Sequence, residues 1–211
     1  MDRLAPHRCE RCERPLDPDG SCGNPVCTYD EDQRFFRWVW AISMRTGALQ
    51  RAIDAYKVQG VKGWAWIFGR VLVGHLNAGG STFSRYDLIV PSATYVGPGG
   101  RAFDHTGEVI ARAIVEDDGR WPFCLGVVTK GQATTAFRGR TWQQRREIAE
   151  TELRQALSVP DPAQVRGKRI LVFDDVYTEG LTIREVARSL RLAGASEVSE
   201  IVLARQPYAG R

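Results

Sequence analysis

Residues 170–182, ILVFDDVYTEGLT, constrain this chain more than any other stretch. Four consecutive apolar residues, Ile170 to Phe173, signal a buried strand, and two adjacent carboxylates, Asp174 and Asp175, end it. A short loop with one glycine, Gly180, follows. Ile183, Val186, Ala187 and Leu190 then recur at i, i+3, i+4 and i+7, the spacing of an amphipathic helix. Thr182 with Glu185 three residues on has the pattern of a capping box at the start of that helix. A strand apolar on both faces, feeding directly into a helix, belongs in a parallel sheet covered on both sides.

The rest of the chain repeats this grammar. Short apolar runs predict strands over 86–90, 123–129, 169–173 and 199–204. Helical spacing predicts helices over 45–57, 64–76, 104–115, 183–193 and near 141–157. The expected class is α/β. The aromatic residues clustered at 35–42 and 64–68 read as core; Trp64 and Trp66 cannot share one helix face, so one is expected to cover the N-terminal module or a partner. Cys124, inside the predicted second strand, reads as an inert core thiol. The longest apolar run is far short of the ~18 residues a membrane span needs.

In such a sheet, ligands bind beyond the carboxyl ends of the strands. A helix start offers free backbone N–H groups and the positive end of the helix dipole, which suit an anion. Gly180 lets backbone approach a phosphate, and the two acids can accept hydrogen bonds from vicinal hydroxyls or help hold Mg²⁺. The chemistry that fits is a sugar phosphate. The formal charge, 29 basic against 25 acidic residues, permits an anionic ligand and does not by itself indicate nucleic acid.

Four of the five cysteines lie within the first 27 residues: Cys9-x2-Cys12, then Cys22-x4-Cys27. Four thiolates at these spacings can close a tetrahedral zinc site. His7 reads as a solvated histidine beside it. The charged N-terminus lacks the apolar region of a secretory signal, and the cysteines are not spread as in a disulfide framework. The expected location is therefore cytoplasmic, with thiols reduced.

Residues 172–182 resemble the phosphoribosyl-pyrophosphate (PRPP) motif of type I phosphoribosyltransferases: apolar strand, two acids, two variable residues, then a Thr/Gly-rich loop ending in Thr. The resemblance implies that Asp174 and Asp175 clamp the ribose and that Thr178, Glu179, Gly180, Leu181 and Thr182 hold the 5′-phosphate. It also implies that Mg²⁺ accompanies PRPP. Glu179 departs from the pattern, which has a hydroxyl there. A carboxylate ~4 Å from a phosphate charge is repelled by about 4 kcal/mol at an effective dielectric near 20, so weakened capture is expected unless Glu179 turns to solvent or to an arginine.

The cysteine quartet joined to this motif resembles the ComF family of competence-associated proteins. Tyr56-Lys57, residues 87–91 (DLIVP), residues 101–105 (RAFDH) and Lys130-Gly131-Gln132 resemble that family's elements in the same order, over about residues 9–205. Ala102, Asp104 and His105 depart from its pattern. The implied organisation is a zinc-binding module over 1–34, a helical linker or hood over 35–85, and a type I phosphoribosyltransferase-like parallel sheet flanked by helices over 86–211. Ser92 and Arg101 fall in the loop that would hold pyrophosphate. Lys130, Arg138 and Arg140 fall on a basic arm that would close over it. His105, at a helix start beside that loop, is placed to act as a general acid, but a histidine there reads as solvated.

Two functions remain open at this level. One is Mg²⁺-dependent transfer of ribose 5-phosphate from PRPP to an unknown acceptor nitrogen. The other is a non-catalytic protein of the DNA-uptake type, binding single-stranded DNA, with Trp142 stacking among arginines, or competence and recombination proteins. Neither reading fixes an oligomeric state.

Overall fold

The computed structural model describes residues 7–207. A cysteine-bearing module leads through a short helix α1 (Glu31–Arg34) into strand β1 (Val39–Met44). Helices α2 (Gly47–Lys57) and α3 (Trp64–Gly79) follow, then β2 (Leu88–Pro91) and α4 (His105–Glu116). A two-residue strand β3 (Thr129–Lys130) comes next. After it, α5 (Trp142–Ile148) runs through a π turn (Ala149–Leu153) into α6 (Arg154–Ala156) and β4 (Leu157–Ser158). The chain closes with β5 (Arg169–Tyr177), α7 (Leu181–Leu192) and β6 (Glu197–Arg205). Among the described residues no helix is long and apolar enough to cross a membrane.

The main sheet has the order β1-β6-β5-β2 and is parallel throughout. Both faces are covered, as the unbroken apolar character of β5 requires. Ile170 and Val172 join a core with α7 and the N-terminal module, whereas Leu171 and Phe173 join a second core with α2, α3 and α4. This α/β class, a parallel sheet flanked by helices with a small N-terminal module, is the expected one. Helices α3 and α4 cross closely because Gly69 has no side chain: a Cβ there would lie 2.9 Å from the Ala113 nitrogen.

Several local expectations change. The aromatic run in the stretch read as linker or hood yields β1, the edge strand of the main sheet. The predicted strand over 123–129 is reduced to one bridge, Ile89 to Phe123, and the short β3–β4 ladder. Gly126 takes a left-handed φ of 74°, which interrupts the extended backbone between the two. Cys124 is therefore outside any strand and half-buried. β5 continues through both acids to Tyr177, and α7 starts at Leu181 with Gly180 as its N-cap. Thr182 thus lies inside the first turn and forms no capping box; Glu185 instead takes two hydrogen bonds from Arg154, at 2.8 and 3.0 Å. Trp64 stacks on Phe68, away from the module, and Trp66 is exposed beneath the Arg112 guanidinium at 4.4 Å.

The module sits against β1. The Val39 N–H donates to the Arg11 carbonyl at 2.8 Å, and the Ala41 N–H to Glu13 Oε2 at 2.6 Å. Backbone groups on an open sheet edge would template pairing with another chain, and the module covers them.

Candidate functional site

Side chains alternate along a strand, so Asp174 and Asp175 leave the end of β5 toward opposite faces. Asp175 meets the helices. The Lys57 ammonium, at the end of α2, donates to Asp175 Oδ1 at 2.8 Å and lies 2.7 Å from Oδ2. His105, the first residue of α4, brings Nε2 to 3.6 Å from the same Oδ2. Packing fixes this meeting: the Tyr56 hydroxyl donates to the His105 carbonyl at 2.6 Å and ties α2 to α4. His105 is buried, not solvated, because its ring turns inward from the helix start. Lys57 carries no local signal as a site residue, although it lies in a segment that resembles a family element; His105 is legible by its place behind the 91–101 loop.

Asp174 faces the loop after β5. Its carboxyl is pushed up to about 7 by burial and by the charge of Asp175. Burial alone would raise Asp175 too, but the Lys57 ammonium, with His105, outweighs it and holds that carboxyl below the usual range. Burial pulls His105 down to about 4 against the pull of Asp175, so its imidazole is neutral at pH 7. A third carboxyl lies below: Glu200, on β6, is 2% exposed, and its Oε2 has no hydrogen-bond partner. Burial, then the charges of Asp174 and Asp175, raise it well above the usual range.

Two cavities adjoin here. A cleft of about 390 Å³ is lined by Lys57, Ser92, Arg101, His105, Lys130 and Asp174, among others. A narrower pocket is formed by residues 176–183 with Asp174 and Glu200. They share Phe137, Asp174 and Thr182. Ser92 reaches the cleft because β2 and β5 end side by side; Pro91 pairs with Phe173, and the Ser92 N–H donates to the Phe173 carbonyl at 2.7 Å. Lys130 donates to Thr134 at 2.7 Å, and burial lowers its pKa.

Of the expected site residues, Asp174, Ser92, Arg101 and Lys130 line the cleft and the 178–182 loop lines the adjoining pocket, whereas Asp175 lines neither and is buried against Lys57 and His105. Arg138 and Arg140 are exposed and do not line the cleft. Glu179 turns away from the loop: its Oε1 accepts from the Arg145 guanidinium at 2.9 Å. In the loop, Gly180 has φ 90°, and a Cβ there would come within 2.5 Å of the Tyr177 hydroxyl.

The four N-terminal cysteines converge, with all sulfurs within 4.8 Å of one another. Cys12 and Cys22 Sγ are 3.7 Å apart, and a tetrahedral ion with ~2.3 Å bonds to sulfur has edges of about 3.8 Å. Hydrogen bonds from neighbouring thiols pull Cys9 and Cys12 down, Cys12 to about 6, and Cys22 and Cys27 are pushed up. Thiols so close ionise together only around a cation, so the donor set fits zinc. His7 is exposed and outside the group.

Residues 133–210 match the phosphoribosyl transferase domain, the span that holds β5, the acids, the loop and α7. Among solved structures, the chain is similar to glutamine phosphoribosylpyrophosphate amidotransferase from B. subtilis, with 21% identity over 72% of this chain and a TM-score of 0.45. It spans 30% of that relative's length. It is also similar to a purine phosphoribosyltransferase from Pyrococcus horikoshii, with 17% identity, 81% of each chain covered and a TM-score of 0.35. A hypoxanthine phosphoribosyltransferase from Staphylococcus aureus aligns at 10% identity, over 69% of this chain and 65% of that one, with a TM-score of 0.41. No curated protein matches the chain.

Proposed function

We propose that this protein binds PRPP or a related phosphoribosyl ligand across the two adjoining cavities. The observation that carries the reading is their junction at Asp174, Thr182 and Phe137. A 5′-phosphate takes the loop pocket, where backbone N–H groups at the start of α7 point outward. The ribose hydroxyls lie over Asp174, with Asp175 behind it holding Lys57 at the cleft wall. A pyrophosphate takes the cleft, against Ser92, Arg101 and Lys130, whose cations stabilise negative charge as it leaves. The match of residues 133–210 to the phosphoribosyl transferase domain supports the same assignment.

If transfer occurs, the bond at the anomeric carbon loosens first, and these residues position the sugar and screen the departing charge. Mg²⁺ supplied with PRPP would add neutralisation of the pyrophosphate, near Asp174 and Asp175. The acceptor is a nitrogen of unknown identity. Zinc in the cysteine quartet is structural, and the quartet together with the C-terminal domain supports the ComF-like reading. The basic residues Arg138 and Arg140 keep a nucleic-acid role within reach of experiment, because they are exposed beside the cleft without lining it.

Calorimetric titration of the zinc-loaded chain with PRPP and Mg²⁺ tests the proposal. Binding in the wild type and its loss in a folded Asp174→Asn, Asp175→Asn variant is the expected result. Each charge-assisted hydrogen bond removed is worth about 1.5–3 kcal/mol. Equal affinity in that variant overturns the reading, and single-stranded DNA binding without PRPP binding returns the non-catalytic alternative.

A further inference from the structure

Tyr177 is 2% exposed, between the N-terminal module and the loop after β5, and Asn24 fixes where its hydroxyl proton goes. Asn24 Oδ1 accepts from the Val26 N–H at 3.2 Å, so the amide atom 3.0 Å from Tyr177 Oη is Nδ2. Turning the amide over would set N–H against N–H. Nδ2 can only donate, so Tyr177 Oη accepts and keeps its own proton. Burial pushes its pKa well above the ordinary tyrosine value. Among the described residues no acceptor takes that proton, and buried polar hydrogens are as a rule bonded. Tyr177 lines the narrow pocket over the 178–182 loop. Its hydroxyl stands 2.5 Å from where a Cβ on Gly180 would lie, at the turn that sets the loop amides.

We propose that Tyr177 donates this proton to the phosphate of the ligand, and that Asn24, from the N-terminal module, is the positioning residue that aims it. The inference rests on the phosphoribosyl reading above and names a contact within it. It also answers the departure at Glu179. That carboxylate offers no hydroxyl and turns to Arg145, whereas Tyr177, two residues earlier, brings a hydroxyl to the same pocket. The module holds the tyrosine from two sides. The Cys27 N–H donates to the Asn24 carbonyl at 2.9 Å and ties Asn24 to the cysteine quartet. Arg205 donates to the Cys12 carbonyl and sets its guanidinium over the Tyr177 ring, 5.0 Å from the centroid. The module is therefore a part of the ligand site as well as the cover of the β1 edge.

The test is calorimetric titration of the zinc-loaded full chain with ribose 5-phosphate and, separately, with pyrophosphate and Mg²⁺. Ribose 5-phosphate needs the loop pocket; pyrophosphate needs only the cleft. Tyr177→Phe should weaken ribose 5-phosphate about tenfold or more, the worth of a hydrogen bond to a charged group, and leave pyrophosphate unchanged. Asn24→Ser keeps an oxygen to cap Val26 but is too short to reach Tyr177. It should weaken ribose 5-phosphate in the wild-type background and have no effect on it in Tyr177→Phe, with zinc content intact in every variant. A merely structural role would weaken both backgrounds alike. Equal ribose 5-phosphate affinity in wild type and folded Tyr177→Phe, or a matching loss for pyrophosphate, overturns the donor and leaves the phosphoribosyl reading standing. Additive losses overturn the aiming by Asn24. Absence of both ribose 5-phosphate and PRPP binding in the wild type overturns the phosphoribosyl reading and the donor with it.

Discussion

Glu179 Oε1 accepts a hydrogen bond from the Arg145 guanidinium at 2.9 Å, so the carboxylate that departs from the phosphate-loop pattern is paired across to helix α5. Burial pushes its pKa up and Arg145 opposes that shift. With its charge met and its side chain turned aside, Glu179 leaves the loop amides to the ligand. Glu179→Thr should therefore change PRPP affinity less than about fivefold, in line with the ~0.2–1 kcal/mol of a partly exposed pair. Arg145→Ala should weaken it more, because it frees the carboxylate. Glu179→Thr added to Arg145→Ala should then restore binding. A large gain in Glu179→Thr alone would show that the carboxylate opposes the ligand after all.

The cysteine quartet bears on the sheet as well as on the metal. Arg11 and Glu13, between and beside Cys9 and Cys12, satisfy the edge amides of β1. Purified protein should contain about one zinc per chain, and a Cys9→Ser, Cys22→Ser variant should lose it. With the metal gone, the β1 edge opens. Faster hydrogen exchange at Val39 and Ala41 and concentration-dependent association should follow. Full zinc occupancy in the double variant would refute the assignment.

Glu200 makes a pH prediction. The native state holds its carboxyl proton above the pH at which an unfolded chain releases it, because burial and the two aspartates disfavour the charge. The native state then binds more protons, so stability falls as pH rises through and above the ordinary glutamate range. Glu200→Gln keeps the shape without the titration. Urea midpoints of wild type and variant should be close near pH 4 and diverge by pH 8, with the variant the more stable. Parallel curves would mean that Glu200 is ionised in the fold.

The order of legibility follows the range of the interactions. β5, its two acids and α7 were readable because strand run, loop glycine and helix period sit within about twenty consecutive residues. The quartet was readable because its spacing is local. β1 was not, since the bulky aromatics at 35–40 masked the alternation of Val39, Ala41 and Ser43. Lys57 and His105 reach Asp175 only through the packing of α2 against α4, from 118 and 70 positions away along the chain. The capping box expected at Thr182 failed because Gly180, at φ 90°, starts the helix two residues earlier. Such a box exists at Thr141 and Gln144, where it opens α5 and helps position Arg145.

Gly180 is where loop shape and module meet. Its φ of 90° is a conformation that side-chain-bearing residues rarely take, and an added Cβ would lie 2.5 Å from the Tyr177 hydroxyl. That hydroxyl cannot simply withdraw: it accepts a hydrogen bond from Asn24 Nδ2 at 3.0 Å, and the Asn24 carbonyl accepts from the Cys27 N–H at 2.9 Å. Gly180→Ala should therefore cost about 1–3 kcal/mol of stability from the strained backbone and should also abolish phosphate capture. Tyr177→Phe removes the hydroxyl that the new methyl would strike, at the expense of one hydrogen bond worth about 0.5–1.5 kcal/mol. If the clash dominates, Gly180→Ala in the Tyr177→Phe background should be less damaging than in the wild type, and the non-additivity should appear in urea midpoints. If the backbone dominates, the two costs add. Retained PRPP affinity in Gly180→Ala would mean that the ligand does not use the loop amides that Gly180 sets.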